Sequence, residues 1–261
     1  MLVDSHCHLD FPEFEGRVEQ VRTDMAANGV SHALCVSVSL SEWPKVIGLA
    51  DRYDNFFASV GVHPDHEGTD PVTIADLVGR AAHPKIVAIG ETGLDYYRQT
   101  GDTEWQRERF RVHIRAARKA GLPLIVHTRE AAQDTLAIMR EEGAEAVGGV
   151  MHCFTETQEV AEAAMALGFH ISLSGIVTFK NAVALKDVAR RIPLDRLLVE
   201  TDSPYLAPVP WRGRTNHPGL VRHVAEEIAR LRGQTLEEVA KATTDNFFAL
   251  FRRATRVNIL Q

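Results

Sequence analysis

The chain has 261 residues, of which 45% are hydrophobic and 25% charged, a composition typical of a globular protein and unlike that of a disordered chain. Its 29 Lys and Arg residues are outnumbered by 35 Asp and Glu, and the net charge of −6 argues against a broad basic surface that binds long duplex DNA. This length fits either two small domains or one α/β barrel, which takes about 250 residues.

Eight short apolar runs, rich in β-branched residues, alternate with longer segments whose apolar residues recur at helical spacing. We predict strands at residues 2–6, 33–38, 56–62, 85–90, 123–127, 148–152, 169–172 and 196–200. Strands that alternate with helices pair in parallel through right-handed crossovers, and eight such units favour a closed barrel over an open doubly wound sheet.

The carboxyl-terminal segment completes the predicted fold. From residue 217 onward the pattern predicts helices over 220–231, 236–242 and 246–253, which would seal the barrel. No low-complexity tract, charge run or Ser/Gly linker divides the chain. We therefore predict one domain of the α/β class, residues 1–261, folded as a (β/α)8 TIM-type barrel with carboxyl-terminal helices.

Histidines and carboxylates stand at or just after the ends of five of the predicted strands. In such a barrel the reactive groups lie at the carboxyl ends of the strands, where the loops converge. Imidazole and carboxylate are ligands for divalent metals, and six groups exceed one tetrahedral site, so we predict two metals that share a carboxylate and activate a water. The six predicted ligands are His6, His8, Glu91, His127, His152 and Asp202.

Each of these signals is weak alone. A single His-x-His pair is often packed in a core, and a lone carboxylate at a strand end often caps the next helix. The joint occurrence at one end of several strands carries the prediction. Other histidines are expected to be packed or solvated: His32, His83, His113, His170 and His223.

Further residues on the same rim are candidates for substrate contacts. His63 follows the third strand, and we favour a substrate contact over a metal ligand, because the site already has six groups. Arg129 and Arg212 suit bidentate phosphate binding, with surface solubility as the alternative. The rim aromatic residues either stack on bases or pack the loops; they are Tyr96, Tyr97, Phe154, Tyr205 and Trp211.

These motifs resemble those of the TatD family of metal-dependent deoxyribonucleases, within the amidohydrolase-like barrels. The resemblance covers essentially the whole chain. Its segments are 4–10 (DSHCHLD), 61–64 (GVHP), 89–96 (IGETGLDY), 123–129 (PLIVHTR), 152–155 (HCFT), 174–182 (SGIVTFKNA), 200–208 (ETDSPYLAP) and 243–247 (TTDNF).

The resemblance implies a division of the ligands between two metals. One metal would be held by His6, His8, Glu91 and Asp202, and the other by Glu91, His127 and His152, with Glu91 as the bridge. Asp202 and Glu91 are the catalytic candidates, and Asp202 would orient or deprotonate the water. The family commonly has an acid in Arg-Gly-x-x-Asn-Glu-Pro, whereas this chain has His217 there, which we expect to alter a loop near the substrate.

Three functions remain open at this stage. The first is a deoxyribonuclease that uses two divalent ions (Mg, Mn or Zn) to trim single-stranded or frayed DNA ends from the 3′ end, with RNA as a further substrate. The second is a hydrolase of a small amide, lactone or phosphate ester on the same barrel, since fold does not fix function. The third is a non-catalytic binding protein stabilised by metal.

The cysteines and the amino terminus indicate a compartment. Cys7, Cys35 and Cys153 form no CxxC pair, and a sparse, odd set suits the reducing cytoplasm better than a disulfide framework. The first residues lack the basic and apolar regions of a secretory signal, and no apolar run approaches the roughly 18 residues of a membrane span. We expect a cytoplasmic location, no membrane partner and no obligate protein partner.

Overall fold

The computed structural model describes residues 1–66, 71–97, 99 and 101–257. Within them, eight parallel strands form one sheet in sequential order. They are β1 Leu2–Cys7, β2 Val30–Cys35, β3 Phe56–Val60, β4 Ile86–Asp95, β5 Leu124–Arg129, β6 Gly149–Met151, β7 Phe169–Leu173 and β8 Leu197–Val199. A bridge between Cys7 and Ser203 brings the last strand back to the first. The predicted barrel is confirmed.

Helices alternate with these strands and cover the outside of the barrel. The described residues contain α1 Val18–Ala27, α2 Trp43–Arg52, α3 Ile74–Ala81, α4 Glu104–Ala120, α5 Ala132–Glu141, α6 Gln158–Ala166, α7 Val183–Arg191, α8 Val221–Arg232 and α9 Leu236–Leu250. The sequence pattern explains each buried face: in α4, for example, Phe110, Ile114 and Ala117 recur at helical spacing and are fully buried. None of these helices is both long and apolar enough to cross a membrane.

The carboxyl-terminal helix closes the amino-terminal end of the barrel. Phe247 of α9 and Phe251, which follows the helix, are fully buried and belong to one cluster with Val3, Leu34 and Phe57 of the strands. Burying an aromatic side chain of this size contributes roughly 1.5–3 kcal/mol. Closing this end leaves the opposite end of the barrel, where the strands finish, for the functional groups.

Several predicted boundaries were wrong. β2 spans Val30–Cys35 rather than 33–38, and β4 continues to Asp95 rather than ending at 90. The predicted break between helices 236–242 and 246–253 is absent, because α9 runs unbroken from Leu236 to Leu250. The Thr243 hydroxyl donates to the carbonyl of Val239, one turn back, so this polar residue is satisfied inside the helix.

One histidine of α4 makes stability depend on pH. His113 is fully buried; its Nε2 accepts from the N–H of Val62 at 3.0 Å, and its Nδ1 donates to the Arg109 carbonyl at 2.8 Å. Only a neutral imidazole makes both bonds. Burial lowers the pKa of His113 to about 4.

The folded state therefore binds fewer protons at His113 than the unfolded chain, where the pKa is about 6.5. The stabilising contribution is complete above about pH 6.5 and is lost as the pH falls toward about 4, which amounts to about 2 kcal/mol between pH 7.5 and pH 5. Urea unfolding in the presence of a chelator measures it. The wild type should lose about 2 kcal/mol more than His113→Gln over this interval, and equal losses in both proteins would refute the prediction.

Candidate metal centre

Glu91 lies at the centre of the candidate site. The pairing between β4 and β5 shifts register between Ile89 and Thr92, and Glu91 lies in this irregularity, 2% exposed. Such bulges turn a side chain away from the regular alternation of a strand. Nearby, Gly93 has a φ of +133°, and a Cβ there would lie 2.0 Å from the carbonyl oxygen of His127. Only glycine allows β4 and β5 to approach this closely beside the site.

One oxygen of Glu91 faces a first set of donors from β1 and the end of β8. Glu91 Oε2 lies 3.3 Å from His6 Nε2 and 3.8 Å from His8 Nε2. Asp202 Oδ1 lies 3.7 and 3.5 Å from the same two nitrogens, which are 3.2 Å apart. A tetrahedral ion with bonds of about 2.0–2.1 Å has donors about 3.3 Å apart. The first set fits such an ion.

The backbone fixes this first set. The N–H of Asp202 donates to the carbonyl of His6 at 3.0 Å, and the N–H of His8 donates to the carbonyl of Ser203 at 2.9 Å. Asp202 has a φ of +56°, a left-handed conformation that aspartate tolerates better than most residues. The same contacts that close the barrel therefore place residues 6, 8 and 202 side by side.

The other oxygen of Glu91 faces a second set of donors. Glu91 Oε1 lies 2.7 Å from His152 Nε2, 3.3 Å from His127 Nδ1 and 3.3 Å from His63 Nε2. His127 Nδ1 and His152 Nε2 are 3.3 Å apart. All three groups of metal-competent side chains found among the described residues lie in this one cluster. One carboxylate is thus shared between two sets of nitrogen and oxygen donors.

The outer ring nitrogens of four histidines are hydrogen-bonded to oxygen acceptors. An outer nitrogen that donates its proton leaves the inner nitrogen with a lone pair toward Glu91, which is how histidines are arranged around metals. The bonds are His8 Nδ1 to Val36 O at 3.1 Å, His63 Nδ1 to Asp65 Oδ1 at 2.5 Å, His127 Nε2 to Asp95 Oδ2 at 3.0 Å and His152 Nδ1 to Glu200 Oε1 at 3.3 Å.

The electrostatics of the cluster call for positive charge. Burial would raise the pKa of Glu91, yet the charges of His152, His63 and His6 hold that pKa well below its ordinary value. Burial opposes protonation of His63, but the charge of Glu91 and the hydrogen bond to Asp65 raise its pKa to about 10. Buried carboxylates of this kind need a partner. Protons on the histidines or divalent cations supply it.

The cluster opens into a cavity of about 790 Å³. Ligand sites of this size hold a drug-sized or nucleotide-sized molecule. Arg129 lines the cavity, and its guanidinium lies 3.6 Å from the centre of the Tyr97 ring. Arg212 is not among the described residues that line it: this side chain covers the ring of Phe179 at 3.8 Å and donates to the carbonyl of Ala207.

The rim aromatic residues divide into two kinds. Phe154 is buried, Tyr96 donates to Asp134 at 2.8 Å, and Trp211 donates to His223 at 2.8 Å, so these three pack the loops. Tyr97 and Tyr205 are 51% and 55% exposed. Tyr205 lines the cavity and is free to stack on a ligand, whereas Arg129 covers one face of the Tyr97 ring.

His217 lies farther from the cavity than expected. It is half-buried beside Gly219, which also approaches Asp24 of α1, and it is not among the lining residues. The neighbouring Asn216 holds the loop after β8, since its amide donates to the carbonyls of Thr201 at 2.9 Å and Tyr205 at 2.6 Å. His217 reaches the cavity only through this neighbour, since its N–H donates to Asn216 Oδ1 at 2.9 Å, and its effect on the loop stays a prediction.

Sequence reasoning missed three carboxylates that support the histidines: Asp65, Asp95 and Glu200. Each stands next to a predicted ligand in the sequence or in space, at the same strand ends. A metal-binding histidine usually donates its far ring nitrogen to a carboxylate, and a search for acidic residues near the predicted histidines could have found them.

Comparisons with known proteins agree with this geometry. The family described as "TatD related DNase" matches residues 3–252. The chain is 51% identical to the "Uncharacterized metal-dependent hydrolase YcfH" of Escherichia coli K12, over 96% of this chain and 95% of that protein. It is 33% identical to the "3'-5' ssDNA/RNA exonuclease TatD" of Edwardsiella piscicida, over 97% and 100%. The crystal structure of the E. coli TatD homologue YjjV superposes with a TM-score of 0.89 at 29% identity, covering 96% and 98%.

Proposed function

Because this chain belongs to the family of TatD-related DNases and is a metal-dependent hydrolase, we propose that it cleaves phosphodiester bonds at single-stranded or frayed DNA ends. Digestion proceeds from the 3′ end, and RNA is a second substrate. The relative from Edwardsiella piscicida, whose name describes such an exonuclease, supports this specificity. One observation carries the proposal: the two oxygens of Glu91 face two adjoining sets of metal-type donors.

We assign two divalent cations (Mg, Mn or Zn) to these donor sets. His6, His8 and Asp202 would hold one together with Glu91, and His127 and His152 would hold the other, also with Glu91. When bound, the cations lower the pKa of a water and stabilise the negative charge that develops on the phosphoryl oxygens.

Asp202 prepares the nucleophile. Burial would raise the pKa of Asp202, but the hydrogen bond with His8 and the charges of His6 and His152 lower it, so the carboxylate is ionised at neutral pH. Its Oδ1 faces the two histidines, and its second oxygen is left to orient the water and take its proton. The carboxylate acts as the general base.

The substrate enters through the open cavity. Arg129 supplies a cation for the phosphates, and the exposed rings of Tyr97 and Tyr205 supply surfaces for the bases. A strand end needs few phosphate contacts, so the net charge of −6 is compatible with this local binding. The arrangement favours single strands, whose unpaired bases are free to stack.

Tyr205→Ala tests the stacking role. Stacking of one base on an aromatic ring is worth about 1–3 kcal/mol, so this variant should raise KM for an oligonucleotide by about 5- to 150-fold. Tyr205→Phe keeps the ring and should match the wild type, which makes it the control. Steady-state kinetics on a labelled single strand measures both, and an equal KM in Tyr205→Ala would remove the residue from substrate binding.

A timed digestion tests the function. Single-stranded DNA, duplex DNA and RNA, each labelled at either end, are incubated with Mg²⁺, Mn²⁺ or Zn²⁺ beside small phosphate, carboxylate and lactone esters. We expect stepwise shortening from the 3′ end of single strands and slower attack on blunt duplex. Turnover of a small ester with intact oligonucleotides would instead support the alternative hydrolase. The cytoplasmic location and the single domain over 1–261 stay predictions.

A further inference from the structure

The two donor sets differ in the histidines they contain. We call the set around Glu91 Oε1 the Oε1 position: His63, His127 and His152. We call the set around Glu91 Oε2 the Oε2 position: His6, His8 and Asp202. The Oε1 position offers three imidazoles and one carboxylate oxygen, whereas the Oε2 position offers two of each.

Every imidazole of the Oε1 position is supported by a carboxylate. His127 donates to Asp95 at 3.0 Å and His152 to Glu200 at 3.3 Å, while His63 donates to the more exposed Asp65. A carboxylate on the far nitrogen fixes the ring and raises the basicity of the ligating nitrogen, and removing it typically costs 10- to 100-fold in metal affinity.

The surroundings of Glu200 hold its carboxylate against His152. It is fully buried, and Oε1 also accepts from the N–H of Cys153 at 2.7 Å, while Oε2 has no hydrogen-bond partner among the described residues. A buried carboxylate with one unpartnered oxygen is costly unless positive charge lies close by. His152 and a cation beyond it provide that charge.

The Oε2 position lacks this support. His8 donates to a backbone carbonyl, that of Val36, and the buried Nδ1 of His6 has no hydrogen-bond partner among the described residues. Asp202 replaces one imidazole, so half of the donor atoms of this position are carboxylate oxygens. Carboxylate and water suit Mg²⁺ and Mn²⁺, whereas imidazole suits Zn²⁺, Co²⁺ and Ni²⁺.

We infer that the Oε1 position, completed by His63 as a fourth donor, retains a borderline divalent ion tightly, while the Oε2 position exchanges its ion with the solution. This rests on the two-cation centre of the proposed function but on no particular substrate. It also gives His63 a place at the metal instead of the substrate contact that the sequence favoured.

Graded removal of Co²⁺ tests the inference. Full-length protein loaded with two equivalents of Co²⁺ is dialysed against increasing chelator, and cobalt per chain is measured by elemental analysis together with the visible absorption of the ion. We expect two steps separated by at least about tenfold in chelator concentration. A single step, with both ions leaving together, would overturn the inference.

Variants identify the steps. Asp95→Asn and Glu200→Gln should each weaken the tightly held ion by about 10- to 100-fold. His63→Gln should weaken the same ion and change its visible spectrum, while Asp202→Asn should remove only the exchangeable ion. Asp134→Asn is the matched control for Asp95→Asn, since its carboxylate contacts Tyr96 and Arg107 and no histidine.

The outcomes separate this inference from the proposed function. Loss of the tight ion in Asp202→Asn with its retention in both Asp95→Asn and Glu200→Gln would reverse the assignment and overturn it. A near-UV circular dichroism spectrum of each variant shows whether it folds. Asp95→Asn, Glu200→Gln and His63→Gln change three different parts of the barrel, so the test does not depend on the folding of a single variant. Because cobalt is counted directly, two clean steps would support the inference even if no nucleic acid were cleaved.

Discussion

Glu91→Gln is expected to empty both cation positions and to lower the rate of hydrolysis by at least about 10⁴-fold. The glutamine keeps the size of the side chain, but it loses the charge, and only one of its two polar atoms is an acceptor. It therefore cannot ligate one cation beside His6 and another beside His152 at the same time, as the two oxygens of Glu91 would. Losing cations that each supply several kcal/mol of transition-state stabilisation gives a reduction of about this size.

Elemental analysis and single-turnover hydrolysis measure the two effects on the same sample. Glu145→Gln is the matched control, because this glutamate is exposed on the surface away from the cavity. Its metal content and rate should equal those of the wild type. A Glu91→Gln protein that kept two ions, or more than about one hundredth of the rate, would remove the bridging role from Glu91.

Asp202→Asn should lower kcat by about 10²–10⁴-fold while KM for a single-stranded substrate changes little. A general base contributes in this range and the amide cannot take a proton from the water, and the loss of the exchangeable cation expected in this variant adds to the reduction. The effect falls on kcat because Asp202 contacts His6 and His8 at the bottom of the cavity and not the rim that holds the strand.

The kinetics of a surface variant provide the comparison. Asp187→Asn changes an exposed aspartate of α7 that pairs with Arg190, and it should leave both constants unchanged. If Asp202→Asn raised KM and left kcat intact, Asp202 would be a binding group and another residue would have to act as base. Undiminished cleavage would show that a contaminating nuclease produced the signal.

The barrel was predictable because its causes are local and periodic. Buried parallel strands read as short apolar runs, and each was followed by an amphipathic helix, so order and pairing followed from the chain itself. The gathering of His6, Glu91 and Asp202 was predictable for the same reason, since the ends of all the strands meet on one face.

The errors lie where tertiary contacts override local pattern. β2 begins at Val30 although Ser31 and His32 interrupt its apolar run, because its first residues pair with β1. β4 continues past Glu91 because Thr92 to Asp95 pair with β5 beyond the irregular register. Sequence spacing shows neither effect.

The place of His63 was beyond sequence reasoning for a different reason. Its position after the third strand fits a side chain that points to the substrate as well as one that points to Glu91. In the structure the ring faces Glu91, because two contacts orient it. The N–H of His63 donates to the carbonyl of Val38, and the ring is held by Asp65. Such orientation depends on partners that are known only after folding.

The bridging of two cations by Glu91 is tested most directly by anomalous diffraction from crystals of the full-length protein grown with Mn²⁺. The account predicts two peaks in the cavity, one beside each oxygen of Glu91 and about 2.0–2.3 Å from it. A single ion that leaves Glu91 uncoordinated, or ions only at the surface of the barrel, would contradict it.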